Sequence, residues 1–272
     1  VVKKSIVKNI LFTYFLFGLN FNGLALETTA EVRQRSPIER DYGYTSMRLG
    51  ASHWASRGGI WGFVEPVSTT KDGKAWNGEL AGEVILLPIL SMSLGGGASS
   101  NANVAASRMT TLNLFPKIPA TGTTFQVGHT FNEYKTTATT RYNYFRLGVF
   151  QDMSPSTNLQ IEYQRIEAHS LAKHQLRRGS SGTVALAIRP AKREIKLGSL
   201  ISCISETFDC RGNVVDIYAE PFASVQGYFI SDVPLNLGAK VSYIRSLSEN
   251  NALNKTIGGS AILASFLVGW RF

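Results

Sequence analysis

Charge is scarce in this chain. Asp, Glu, Lys and Arg make up 17% of its 272 residues, whereas an ordinary soluble domain carries about a quarter. A surface with that little charge has less area in contact with water than usual. The acidic share is the smaller, and the net charge is +9. Histidine and cysteine are also sparse. Cys203 and Cys210 have no histidine nearby, so two sulfurs alone make a poor zinc site, and neither a metal nor a cofactor is expected. A glycine-rich phosphate loop of defined spacing is missing. The run Gly95-Gly96-Gly97, followed by small and polar residues, reads instead as a flexible loop. Helical periodicity and sequence repeats are not evident. After the first 25 residues no apolar stretch approaches the roughly 20 residues of a spanning helix. The nearest, Val84 to Leu90, is short and contains Pro88.

The N-terminus has the form of a secretory leader. Lys3, Lys4 and Lys8 precede an apolar stretch from Ile10 to Leu19, and Gly23-Leu24-Ala25 offers small residues for cleavage. Cleavage is expected after Ala25, with Ala30 as the second choice. Residues 1–25 are then a signal peptide, 26–42 a polar segment and 43–272 the folded domain. In an exported chain, the pair Cys203 and Cys210 is expected to form a disulfide.

What is abundant is short runs of Val, Ile, Leu, Phe and Tyr separated by polar connectors. They read as twelve strands, with ten as the alternative: 43–53, 58–65, 78–93, 103–115, 123–133, 140–151, 157–167, 182–189, 194–203, 213–230, 235–245 and 259–272. Several alternate cleanly. Leu235, Leu237, Ala239, Val241 and Tyr243 oppose Asn236, Gly238, Lys240 and Ser242, as a strand with one apolar face requires. Connectors alternate long and short from the C-terminus backward: Ser246–Gly258 is long, Ser231–Pro234 short, Ile204–Gly212 long, Pro190–Arg193 short, Ala168–Ser181 long and Asp152–Ser156 short. The pattern weakens only near the N-terminus, where Pro66–Asn77 is long and Trp54–Arg57 is tight, each out of turn.

The chain ends Phe266-Leu267-Val268-Gly269-Trp270-Arg271-Phe272. Phe266, Val268, Trp270 and Phe272 lie on one face of a terminal strand that stops on an aromatic. This ending resembles the C-terminal signal of bacterial outer-membrane β-barrels, which the barrel-assembly machinery reads. The resemblance covers almost the whole exported length and implies an all-β, antiparallel, up-and-down transmembrane barrel of a Gram-negative outer membrane. Both termini and the short turns would lie in the periplasm, and the longer loops outside. Aromatics would mark the membrane interfaces. Phe63, Phe115, Phe125, Phe150, Tyr228, Phe229, Trp270 and Phe272 are expected at the periplasmic ends. Trp54, Phe131, Tyr142, Tyr144 and Tyr243 are expected at the outer ends.

In such a barrel the polar face lines the lumen. It carries Arg48, Glu79, Glu83, Arg146, Glu162, Glu194, Lys196, Asp216, Glu220, Lys240 and Arg271. These charges either pair across the lumen and plug it or line a wet passage. Outer connectors hold a basic rim that includes Arg165, Lys173, Arg177, Arg178 and Arg245, suited to the phosphates of lipopolysaccharide. The leading expectation is a small porin-like channel for polar solutes. A surface adhesin or envelope-stabilising barrel acting through its basic loops is the alternative. A lipid-modifying enzyme is third: barrel lipases carry His-x-Ser-Asn, whereas this chain has His129-Thr130-Phe131-Asn132, with no hydroxyl at the nucleophile position. Expected partners are outer-membrane lipid, the assembly machinery and small polar solutes, and not nucleic acid.

Overall fold

Every strand of this protein pairs antiparallel with a neighbour on each side, and the first pairs with the last. In the computed structural model the described residues are 25–37, 43–136, 139–170, 175–190, 192–208, 212–230, 233–246 and 260–271. They form a closed barrel of fourteen strands: β1 (Ala25–Pro37), β2 (Tyr44–Ala55), β3 (Gly58–Thr69), β4 (Lys74–Leu87), β5 (Leu90–Ser99), β6 (Arg108–Ile118), β7 (Thr123–Lys135), β8 (Thr139–Ser154), β9 (Thr157–Ser170), β10 (Gln175–Ile188), β11 (Arg193–Phe208), β12 (Gly212–Tyr228), β13 (Leu235–Ser246) and β14 (Ala261–Arg271). The single helical element among the described residues is a 3-10 turn, Pro119–Thr121.

The expected count of twelve strands, or ten, is therefore corrected to fourteen, and two local features account for the difference. First, residues 25–37 are wall, not a polar segment outside it. Their odd positions, Glu27, Glu31, Arg33 and Arg35, share the inward face, and Val32 is the one large apolar side chain exposed outward. A strand with that composition reads as polar linker. It is held by eleven paired positions on each side, to β14 and to β2. Second, the stretch 78–93 is a hairpin and not one strand. β4 and β5 turn at Pro88-Ile89, with Leu87 facing Leu90 and a register irregularity between Ile85 and Leu87. The continuous apolar run hid the turn.

That hidden turn also explains the two connectors that were out of sequence. One extra reversal at residue 88 exchanges the ends for everything before it. The tight Ser56-Arg57 turn then falls at the end that carries the termini, and the connector after Thr69 falls at the opposite end. Correspondingly, Gly95-Gly96-Gly97 is not a loop but the middle of β5. Here glycine answers to crowding rather than to a turn. A Cβ on Gly95 would lie 2.8 Å from Ala81 Cβ, and one on Gly97 would lie 2.7 Å from the Gly78 carbonyl oxygen.

The two faces of the wall are inverted relative to a water-soluble core. Buried apolar residues among those described are all alanines: Ala75, Ala81, Ala168, Ala185, Ala187 and Ala261. By register they face inward, beside buried Ser93, Asn113, Gln126, Thr130, Asn158, Gln160, Ser202, Asn236 and Ser242. Large apolar side chains point out. Leu80 is 68% exposed and Trp76 63%, and Ile60, Leu94, Leu147, Leu186, Leu197, Val241 and Phe266 follow around the circumference. An apolar belt of that extent far exceeds what a soluble monomer exposes, and it is what a lipid-facing wall requires. A strand crosses a bilayer in roughly 9–11 residues. β5 and β6, with 10 and 11 residues, fit that span, while β8, β11 and β12, with 16, 16 and 17, extend past it. The connectors expected at Ala168–Ser181 and Ile204–Gly212 are largely strand for this reason.

Candidate functional site

The lumen is wide enough to matter. Fourteen strands spaced about 4.8 Å apart and tilted about 40° enclose roughly 28 Å between opposite backbones. Side chains reaching about 6–7 Å from each wall cannot close that gap, so charges meet neighbours along the wall. The register shows where they meet. On β1–β3, Glu65 is 6% exposed. It accepts a hydrogen bond from Ser46 Oγ at 2.7 Å and ion pairs from Arg48 at 3.2 Å and Arg33 at 3.7 Å. Arg33 also holds Glu31 at 2.8 Å, and the Arg48 guanidinium lies 3.8 Å from the centre of the Phe63 ring. Farther round, Asn236 Nδ2 donates to Glu27 Oε1 at 3.1 Å, and Lys240 Nζ sits 5.0 Å from the Phe222 ring centre.

Ten of the eleven charges proposed for the lumen lie on the inward face by register: Arg48 on β2, Glu79 and Glu83 on β4, Arg146 on β8, Glu162 on β9, Glu194 and Lys196 on β11, Glu220 on β12, Lys240 on β13 and Arg271 on β14. They are not one cluster. Arg48 joins the Glu65 network. Lys196 and Lys240 share a row of paired positions that runs Lys196, Ser224, Lys240, Ser265, Arg33. Sequence reasoning missed Glu31, Arg33 and Glu65, because β1 was left outside the barrel and Glu65 was placed at a strand end. The alternation of Glu31, Arg33 and Arg35 with Ala30, Val32 and Gln34 was the available signal.

A second inward feature is a cradle on β3 to β9. One row of paired positions runs Trp61, Ala81, Gly95, Thr111, Thr130, Tyr144. Two rings therefore stand at the ends of a floor made of small residues. The floor and its flanking rows enclose a cavity of about 420 Å³ whose lining includes Glu79, Ser93, Asn113, Asn132, Arg146 and Gln164. Polar side chains on the floor are linked. Thr111 and Thr130 hydroxyls are 3.0 Å apart, Asn113 Nδ2 donates to Ser93 Oγ at 3.1 Å, and Gln126 Nε2 donates to Asn113 Oδ1 at 3.1 Å. Glycine keeps the floor low: a Cβ on Gly128 would fall 2.2 Å from Asn113 Oδ1.

Several aromatics assigned to membrane interfaces are corrected by the register. Phe63, Phe115, Phe150, Tyr142, Tyr144, Tyr228 and Trp54 face inward, and Trp54 sits at the end that carries the termini. Phe125, Phe131, Tyr243 and Trp270 face outward. His129 is on the outer wall, its Nε2 3.2 Å from Asn143 Oδ1 and its ring 4.8 Å from Phe145. Of the basic rim, Arg165, Arg178 and Arg245 occupy outward positions near the ends of β9, β10 and β13, in strands and not in loops. Arg177 pairs with Ala168 and Glu206 in the ladder. Phe266, Val268 and Trp270 line the outward face of β14. Lys173, Cys210 and Phe272, the side chains of Cys203, Arg177 and Asp216, and the leader before residue 25 lie outside the described residues. The expected disulfide falls there, whereas the expected cleavage point after Ala25 is at the first residue of β1.

No family model and no curated protein matches the chain. Solved structures do. A loop-deleted form of the OmpT outer membrane protein of Vibrio cholerae superposes with a TM-score of 0.56 at 9% identity, over 92% of this chain and 99% of that one. The chain has the fold of an outer-membrane β-barrel. An anion-selective porin from Comamonas acidovorans (TM-score 0.53, 8% identity, 92% of this chain and 99% of that one) is similar. So is OmpF of Salmonella typhi in complex with daunomycin (0.52, 9%, 92% and 97%). At such identities the barrel wall is what is shared.

Proposed function

We propose that this protein is a porin-like channel that passes small polar solutes across the outer membrane of a Gram-negative bacterium. One observation carries the reading: the lumen wall is polar and charged, the charges that pair, such as Arg33, Arg48 and Glu65, do so along the wall, and the barrel is too wide for charges to meet across it. Buried charges facing a wet passage keep their hydration and need no plug. The fold shared with porins supports the same view. Catalysis is not part of it, because the residue two beyond His129 is Phe131.

Planar-bilayer recording tests the reading. Purified protein should give steady single-channel steps in KCl, and a closed, silent barrel would overturn it. In this reading the termini lie in the periplasm, and the outward Arg165, Arg178 and Arg245 meet lipopolysaccharide phosphates at the outer leaflet. Thiol labelling of intact cells checks the topology together with the strand count. Asn103→Cys, in the connector between β5 and β6, should be labelled, and Ser56→Cys, in the turn between β2 and β3, should not. A twelve-strand barrel would reverse the result at residue 56.

A further inference from the structure

We infer that the solutes this channel selects are linear, uncharged oligosaccharides, which cross the lumen on an aromatic path through the cradle between Trp61 and Tyr144; the inference rests on the channel reading above. The path can be followed ring by ring. Tyr134 meets Tyr142 edge-on at 5.3 Å, and Tyr142 stacks on Tyr144 at 6.1 Å and 16°. The cavity separates Tyr144 from Trp61, and Trp61 stacks on Trp54 at 5.6 Å and 13°. Tyr134 is near the barrel end opposite the termini and Trp54 is at the end that carries them. The rings thus form two groups, Trp54 and Trp61 toward the mouth that carries the termini and Tyr134, Tyr142 and Tyr144 toward the other, with the polar floor of the cradle between them.

The arrangement is specific to stacking. Gly59 faces inward beneath the Trp54 indole, and a Cβ there would lie 2.5 Å from Trp54 Cε3. Only glycine lets the indole lie flat on β3 and present its other face to the lumen. Trp54 remains 49% exposed, so it is not consumed by packing. Aromatic rings of this kind combine a broad apolar face with a polar tip.

A pyranose ring matches these features. Its C–H groups form an apolar face suited to Trp61 and Tyr144, and its hydroxyls project at the edges. The cradle floor supplies hydroxyl and amide groups that both donate and accept, as sugar hydroxyls do. Glu79 and Arg146 supply one charge of each sign, so the cavity favours neither anion nor cation and suits an uncharged chain. Ring platforms at both ends of a polar floor favour a solute that is long enough to reach both and whose own units repeat. A single planar aromatic compound would need one closed slot, whereas this site is two open platforms with a polar floor between them.

The test is ion current through single channels with maltohexaose added on the side of Tyr134. Wild-type channels should show transient blocks that lengthen from maltotriose to maltohexaose. Trp61→Ala and Tyr144→Ala should each shorten the blocks about tenfold, the effect of losing one stacking platform. Trp61→Phe and Tyr144→Phe keep a ring and should retain most of the block. Wild-type channels that conduct without blocks would overturn the oligosaccharide inference and leave the channel reading intact. Blocks equal in wild type and both alanine variants would remove the cradle as the site. A protein that never conducts would bring down the channel reading itself, and maltohexaose binding by tryptophan fluorescence, sensitive to Trp61→Phe, would then decide the sugar site alone.

Discussion

Replacing Glu65 with glutamine is expected to lower the barrel's stability by about 2 kcal/mol, read as a shift of the urea midpoint in lipid vesicles. Glu65 is the common acceptor for Ser46, Arg48 and Arg33. Glutamine keeps its shape and still accepts from Ser46, so the loss is electrostatic. Two guanidiniums on β1 and β2 are then left to face each other with one carboxylate fewer. Removing one partner of a fully buried pair costs about 3–5 kcal/mol. The figure is reduced here because Arg33 and Arg48 each keep 28% side-chain exposure toward a wet lumen, where charges are better screened, and because Glu31 still holds Arg33. Adding Arg33→Gln should return part of the loss, since the second change removes the excess positive charge; coupling of this kind is what a double-mutant cycle reads. An unchanged midpoint in the single variant would mean that Glu65 contributes nothing to holding β1, β2 and β3 together.

How legible this molecule is from its sequence depends on the strand. β13 and β9 are plain: Leu235, Leu237 and Val241 against Asn236 and Lys240 give a clean period of two, and Leu159, Ile161 and Tyr163 against Asn158, Gln160 and Glu162 do the same. β1 is not, because the rule that a strand shows its apolar face fails when that face is Ala30, Gln34 and Ser36. Long-range pairing to β14 and β2 makes it a strand, and its local signal is only the alternation of Glu31, Arg33 and Arg35 with Ala30, Val32 and Gln34. The hairpin at Pro88 fails for the opposite reason. Val84 to Leu90 is apolar on both sides of a two-residue turn, and within it only Pro88 and the length of the run 78–93 point to a reversal. Two connectors out of sequence were its visible trace.

The site divides along the same line. The inward position of a charge follows from alternation within one strand, so Arg48, Glu162 and Lys240 were named from sequence. Partners on adjacent strands depend on register, which turns and bulges set. Hence Arg48 was legible and its partner Glu65 was not. The aromatic rings illustrate a subtler failure. Aromatics in a barrel sequence suggest interface anchors, but Tyr142 and Tyr144 occupy the same parity as Arg146. Once one charge on a strand is assigned to the lumen, every residue at even spacing from it goes with it. Applying that parity to β8 would have placed both tyrosines inside.

Lys240→Glu should move the reversal potential toward cations with little change in stability. Lys240 lies inward on β13 between Ser224 and Ser265, in the row that also holds Lys196 and Arg33. Among the described residues it makes no ion pair, and its printed contact is the Phe222 ring at 5.0 Å. Its charge is therefore directed at the passage. The substitution changes the local charge by two. At a distance of about 8 Å in a water-like medium each unit contributes roughly 0.5 kcal/mol, before the screening of a Debye length of about 8 Å at physiological salt. A shift in the ratio of potassium to chloride permeability on the order of fivefold at low salt follows, and it should shrink as salt is raised. The stability cost is confined to the lost cation–π contact, roughly 0.5–1 kcal/mol at an exposed site. The same measurement separates a wet lumen from a plugged one. In a plug the lysine would be compensated by a carboxylate, and two acids would then be forced together, so the variant would unfold more easily and leak. A variant with wild-type selectivity and wild-type stability would place Lys240 away from the conduction path and refute the inward assignment of β13.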